Sequence, residues 1–313
     1  MKLGIVMDPI ETINFKKDST LAMMIEAQNK NHELFYMTPD SLYINSGISY
    51  AASSKVEVKN DPLGWFELKE EKLIKLSQLD AILMRQDPPF NSNYIYNTYV
   101  LEMASREGVS IFNNPRSLRD CNEKVFATEF PQCCTKHLVT SHKKLLTDFV
   151  EEHNDTVIKP LDGMGGASIF RLKKNDPNLN VILETITLHF TQKVMIQEYI
   201  PEIAEGDKRV LIINGEPMSA AIARIPAQGE LRGNLAAGAS AVAKSLSDRD
   251  MWICKEVGSS LVEKGLLLVG LDIIGDYLTE INVTSPTCFK EYKELCDIDV
   301  AKTFIEAVEE FTL

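Results

Sequence analysis

Short apolar runs alternate with amphipathic stretches over the first 120 residues. Lys2 to Met7 reads as a buried strand ending at Asp8-Pro9. A polar loop covers 10 to 18. Asp18 or Ser19 then caps a helix over roughly 20 to 30, with Leu21, Met24, Ile25 and Gln28 at helical spacing. Glu33 to Met37 returns as a strand, 40 to 75 is mixed, and Ala81 to Met84 is a strong strand. Residues 93 to 107 make a helix stopped near Gly108, followed by a strand from Val109 to Phe112. This alternation predicts a doubly wound α/β domain, in which ligands bind beyond the carboxyl ends of the strands. Asp8, Lys16, Lys17 and Arg85 lie just beyond such ends, although Arg85 equally suits a surface position before a turn.

Further along, 115 to 130 reads as one helix with Asn122-Glu123-Lys124 in its middle. Thr156 to Phe170 reads as strand, glycine loop, strand, with Lys159 at the loop entrance and Gly163, Gly165 and Gly166 within it. Such a loop can aim backbone N–H groups at phosphates, or be only a flexible turn. Val194 to Ile200 is strand-like up to Pro201. Asp207 to Arg209 lead into a strand from Val210 to Ile213, Asn214-Gly215 signals a hairpin turn, and the partner strand from about 217 ends in Arg224. Arg209 and Arg224 could fork onto a substrate carboxylate or form surface ion pairs. Residues 226 to 243 are small and glycine-rich, with Arg232 and Asn234 embedded, a composition that suits a hinged lid or an ordinary loop. Helices are expected over 248 to 264 and 298 to 311.

Between those helices lies a hairpin, Leu266 to Ile274 and Leu278 to Val283, carrying Asp272, Glu280 and Asn282. Glu280 and Asn282 share a face. A two-residue turn would place Asp272 opposite Thr279, on the other face. A three-residue loop, Gly275-Asp276-Tyr277, places it opposite Glu280 and leaves Leu271, Ile273, Ile281 and Val283 together on the apolar side. That second register is the expected one. Two carboxylates and an amide on one face suit Mg²⁺, which takes hard oxygen ligands, or form a solvated acidic surface.

Length and charge narrow the picture. A chain of 313 residues suggests two or three domains. A net charge of -12 argues against a general nucleic-acid or anionic-membrane surface. No apolar run reaches a membrane span and no signal-peptide pattern opens the chain. Six cysteines without a Cys-x-x-Cys pair point away from zinc and toward reduced thiols in a cytoplasmic protein. Neither a Gly-x-Gly-x-x-Gly fingerprint nor a P-loop is present.

Several of these segments, in this order, resemble the ATP-grasp superfamily and, within it, the bacterial glutathione synthetase family. The resemblance rests on Lys2 to Pro9, Met84-Arg85 with Asp87 to Phe90, Leu118 to Lys124, Lys159 to Phe170, Gly206 to Leu211, Arg232 to Gly238 and Val269 to Cys288. It implies an ATP-grasp fold preceded by a doubly wound parallel-sheet domain. The implied boundaries are 1–122, 123–200 with the glycine-rich loop, and 201–313 with the lid and metal site. It implies an ATP-dependent ligase that joins γ-glutamylcysteine to glycine through an acyl phosphate. Lys124 and Lys159 then correspond to lysines on the ATP phosphates and base edge, and Gly163, Gly165 and Gly166 to the phosphate loop. Gln197, Glu198, Tyr199 and Ile200 correspond to the strand whose backbone reads adenine, with Asp207 near the ribose. Asp272, Glu280 and Asn282 correspond to the ligands of Mg²⁺, for which Mn²⁺ can substitute. Arg209, Arg224 and Arg232 are the implied catalytic cations, and Arg85, Arg209, Arg224, Ser285 and Thr287 the substrate-side groups. A cytoplasmic homotetramer is also implied. Gln86, Ala239 and the Cys133-Cys134 pair depart from the family pattern. Rival readings are another ATP-grasp carboxylate–amine ligase and a nucleotide-binding regulator without turnover.

Overall fold

The computed structural model describes residues 1–163, 165–230, 232–233, 235 and 238–312. Three sheets follow one another along the chain. The first contains β1 (Lys2–Val6), β2 (Glu33–Met37), β3 (Leu42–Asn45), β4 (Ile48–Val58), β5 (Phe66–Leu68), β6 (Lys72–Lys75), β7 (Ala81–Met84) and β8 (Ser110–Phe112). Strands β2, β1, β7 and β8 are parallel neighbours. Both of their faces are apolar because helices cover both. Leu3, Ile5, Ala81 and Leu83 pack with Leu21 and Met24 of α1 (Ser19–Asn29), which Asp18 caps. Val6, Ile82 and Met84 pack with Tyr94 and Leu101 of α2 (Ser92–Arg106).

The mixed stretch from 40 to 75 forms antiparallel strands, with β4 paired to β2 and β3, β5 and β6 paired to β4. Its periodicity is faint because β5 and β6 are short, exposed and rich in Lys and Glu. The helix expected over 115 to 130 stops after one and a half turns as α3 (Pro115–Asp120). Asn122 breaks it, its side-chain oxygen accepting from the N–H groups of Lys124 (3.2 Å) and Val125 (3.1 Å).

The second sheet comprises β9 (His137–Thr140), β10 (Asp155–Pro160), β11 (Phe170–Lys173) and β12 (Val194–Glu198), all antiparallel. Alternation along these strands divides the work. Ile158, Leu172 and Ile196 face α4 (Lys143–His153) and α5 (Leu179–Ile186) in a core of their own. Val157, Lys159, Arg171 and Gln197 face the other way, into a cavity.

The third sheet comprises β13 (Asp207–Ile213), β14 (Glu216–Pro217), β15 (Ala220–Ile225), β16 (Ser240–Ser245), β17 (Leu268–Ile274) and β18 (Tyr277–Asn282). Helices α6 (Asp248–Glu263), α7 (Phe289–Cys296) and α8 (Val300–Thr312) complete the chain. Val210, Leu271 and Ile281 join the cluster of Val6 and Met84, while Leu211 and Phe304 join that of Leu3 and Ile5. The first and third sheets thus share their cores. The end of the expected lid is instead strand β16, paired along its length with β15. The six cysteines are free thiols. Among the described residues no helix is long and apolar enough to cross a membrane.

Candidate active site

The β17–β18 hairpin reaches the expected register by an unexpected route. Ile274 pairs with Tyr277, so the turn is the two-residue Gly275-Asp276, with Gly275 at φ +54. The extra residue sits inside the ladder instead, as a bulge at Thr279. It shifts the pairing so that Asp272 opposes Glu280 and Gly270 opposes Asn282. Leu271, Ile273, Ile281 and Val283 are consequently buried in one cluster.

Asp272 lies beside Arg209 on β13, and Asp207 beside Arg224 on β15. Arg209 donates from Nε (2.6 Å) and Nη2 (3.1 Å) to the Asp272 carboxylate, and Arg224 Nη2 approaches the same carboxylate at 2.8 Å. Arg224 also bonds Asp207. The two arginines therefore fork onto the protein's own carboxylates. Arg209 reaches because Gly270 has no side chain: a Cβ there would lie 2.9 Å from Arg209 Cδ. All four charged groups are buried. Burial works against the charged form of Asp272, but the guanidiniums of Arg209 and Arg224 override it and hold the carboxyl well below the usual carboxylate range. Burial pushes Asp207 up to about 6 against the pull of Arg224. Among the described residues its Oδ1 is buried without a hydrogen-bond partner.

Lys124 emerges from the break made by Asn122. Its Nζ donates to Glu280 Oε1 and to the carbonyl of Gly163, both at 2.8 Å. Burial alone would lower its pKa, and Glu280 reverses that shift. Lys159 donates to the Thr279 carbonyl at 3.0 Å and is pulled down by burial. Glu123, a bystander in the sequence reading, pins the end of β18. Its carbonyl accepts from Ile281 N–H (2.9 Å), and Oε1 accepts from Val283 N–H, Thr284 N–H and Thr284 Oγ1 at 2.9, 3.0 and 2.8 Å.

These groups line a cavity of about 380 Å³ between the second and third sheets. Gly163, Gly165, Gly166, Gln197, Tyr199, Ile200, Ser285, Thr287 and Arg232 line it too. Gly165 and Gly166 take φ of 63 and 78, a region open to glycine. Met164 in this loop and Asn234 in the expected lid lie outside the described residues. Gly233 packs so closely on the Asp207–Arg224 pair that a Cβ would lie 2.7 Å from Asp207 Cβ and 2.9 Å from Arg224 O.

One expectation is corrected, for Arg85, and Glu198 keeps only its backbone, the part expected to read adenine, as a candidate. The Glu198 side chain turns away from the cavity, because alternation along β12 gives positions 197 and 199 the inner face. It meets His153 Nδ1 at 2.9 Å and accepts from Lys136 N–H at 3.2 Å. Arg85 does not line the cavity either. It donates to Thr20 Oγ1 (3.1 Å) and the Pro286 carbonyl (2.9 Å), tying the first sheet to the loop after β18. Asp87 and Pro88 face the cavity in its place.

The donor chemistry suits a hard divalent cation. Asn282 Nδ2 donates to Gly270 O at 3.0 Å, which turns its oxygen outward. Among the described residues Glu280 hydrogen-bonds through Oε1 alone, to Lys124. Together with Asp272 they present two carboxylates and an amide oxygen, a set that Mg²⁺ accepts.

An antiparallel sheet facing a second sheet across such a cavity is the architecture of the ATP-grasp ligases. D-cycloserine synthetase DcsG superposes with a TM-score of 0.71 over 100% of both chains at 12% identity. The ATP-grasp ligase PsnB, complexed with minimal precursor, Mg and ADP, gives 0.63 over 99% of this chain and 98% of its own at 14% identity. At those identities the likeness defines the fold. The profiles for the prokaryotic glutathione synthetase N-terminal domain and ATP-grasp domain match residues 1–119 and 123–297. The glutathione synthetase of Vibrio parahaemolyticus is 54% identical over 99% of this chain and 98% of its own length. That of Pseudomonas aeruginosa is 54% identical over 98% and 97%. The chain belongs to the prokaryotic glutathione synthetase family, and is thereby an ATP-dependent carbon–nitrogen ligase.

Proposed function

We propose that this cavity makes glutathione from γ-glutamylcysteine, glycine and ATP, with the residues above in the following roles. The observation that carries the reading is the convergence of Lys124, Lys159, Arg209 and Arg224 with Asp272, Glu280 and Asn282 beneath one glycine loop. Adenine lies at Gln197 to Ile200, and the partnerless Asp207 Oδ1 accepts a ribose hydroxyl. The phosphates lie under Gly163, Gly165 and Gly166, neutralised by Lys124 and Lys159. Mg²⁺, held by Asp272, Glu280 and Asn282, supplies charge neutralisation on the phosphates.

The γ-glutamylcysteine carboxylate, oriented by Ser285, Thr287 and the outer edges of Arg209 and Arg224, attacks the γ-phosphorus. The bond to ADP breaks and an acyl phosphate forms. The glycine amine then attacks the acyl carbon, inorganic phosphate leaves and a proton is lost. Lys124, Lys159 and the two arginines stabilise the charge that develops in both steps. Arg232 and Gly233 close over the intermediate and keep water from it. No side-chain nucleophile is needed. Division into units 1–122, 123–200 and 201–313, a homotetrameric assembly and a cytoplasmic location complete the reading.

The test is ADP release from Mg-ATP with γ-glutamylcysteine, with and without glycine, alongside detection of glutathione. Release and product that require both substrates are expected. ATP binding with no product from this pair would overturn the assignment.

A further inference from the structure

The cavity's unassigned cation is Arg171, and its surroundings are unlike those of the others. It lies on β11 opposite Val157, on the sheet face that carries Lys159 and Gln197. Its Nε donates to Asp155 Oδ1 at 2.8 Å and Nη2 to Asp155 Oδ2, a two-pronged grip. The guanidinium lies over the Tyr199 ring, 3.5 Å from its centroid. Asp155 also fixes that ring, since its carbonyl accepts the Tyr199 N–H at 3.1 Å. One residue therefore holds both layers of the stack, and both layers line the cavity. The Arg171 side chain is 26% exposed, and its Nη1 has no acceptor among the described residues.

We propose that Arg171 is a nucleobase-specificity residue: its Nη1 donates to a ring nitrogen of the purine bound beside Tyr199. The inference rests on the nucleotide placement proposed above. The charge arrangement separates this role from phosphate binding. Asp155 neutralises Arg171, so the pair offers a directed donor with little net field, which suits a neutral heterocycle rather than an anion. Lys159 differs, since among the described residues it donates only to the Thr279 carbonyl, while Lys124 is paired with Glu280, itself an expected metal ligand. The clamp and the stack also fix the guanidinium before the base arrives, so little conformational freedom is lost on binding.

The test is calorimetric binding of ADP, 7-deaza-ADP, 3-deaza-ADP and 1-deaza-ADP to the full-length wild type and to Arg171→Met. For ADP, the variant is expected to bind about tenfold more weakly, the worth of one hydrogen bond from a charged donor. The wild type should lose a similar factor with one of the three analogues, and the variant should be indifferent to that same analogue. Asp155→Asn, which loosens the clamp without removing the donor, should show a smaller loss with the same analogue preference. Equal weakening of the variant for ADP and all three analogues would overturn the proposal, leaving Arg171 only a strut for Tyr199. So would unchanged affinity. A wild type that binds ADP with this pattern yet forms no glutathione would refute the proposed reaction while sparing the Arg171 assignment.

Discussion

Asp272 and Glu280 face each other across one hairpin, yet their replacement should separate stability from turnover. In Asp272→Asn the carboxylate charge vanishes while its shape stays. Three contacts of 2.6, 3.1 and 2.8 Å to Arg209 and Arg224 lose their ionic character, inside a site where Asp272 is 4% exposed. Breaking a buried pair by removing one partner costs about 3–5 kcal/mol, because a charge is left uncompensated. Asparagine keeps one acceptor and Arg224 keeps Asp207, so about 3 kcal/mol is the expected loss. In Glu280→Gln the side chain is 20% exposed, and glutamine can still accept from Lys124. That change should cost about 1 kcal/mol or less.

On the proposed reaction, turnover should fall in both variants by about a hundredfold or more, since each loses a carboxylate of the proposed metal face. Urea unfolding followed by circular dichroism, beside ADP-release kinetics, measures the two quantities. A pH series adds a signature. The Asp272 carboxyl is held below its ordinary value of 3.8, so its stabilisation is fully present above that pH and is lost as pH falls further. The gap between wild type and Asp272→Asn should hold steady from neutral pH down to about 4, then close. An Asp272→Asn protein within about 1 kcal/mol of wild type would refute the buried network as a stabilising element. A Glu280→Gln enzyme with near-normal turnover would refute the metal face.

Gly270→Ala places a methyl 2.9 Å from Arg209 Cδ and should push the guanidinium off Asp272, costing about 1–3 kcal/mol in urea unfolding and most of the turnover. Asp207→Asn should shift in the variant's favour as pH rises from about 4 to 6. In that window the unfolded wild type ionises Asp207 while the folded protein, with its carboxyl pushed up to about 6, resists, and a stability difference measured at both ends detects the trend.

The inner strands of the first sheet were legible because helices on both faces leave mostly apolar runs. Ala81–Met84 and Glu33–Met37 match their expected limits residue for residue. Pairing of Asp272 with Glu280 was legible from the apolar face alone, although the turn that produces it was not. Periodicity fixes which residues must be buried together, whereas a bulge and a longer loop satisfy the same constraint equally well. Glu123 was hidden because its role comes from a helix break at Asn122, whose Nδ2 also donates to the Leu161 carbonyl at 3.2 Å, a partner distant in sequence. Arg85 was misplaced because its position along the chain was right and its direction was not, since direction depends on partners, Thr20 and Pro286, that are distant in sequence. Arg171 went unnoticed because its significance lies in Asp155 and Tyr199, each on another strand or just past one.

The separate core of the second sheet predicts two cooperative units in unfolding, however the chain divides into domains. The first and third sheets, fused by shared side chains, should melt together, while the lobe built on Ile158, Leu172 and Ile196 can open by itself. A nucleotide that grips both units then acts as a rivet. Its binding free energy adds directly to the cost of local opening, so the lobe's amide protection becomes a gauge of nucleotide supply while the fused pair stays indifferent.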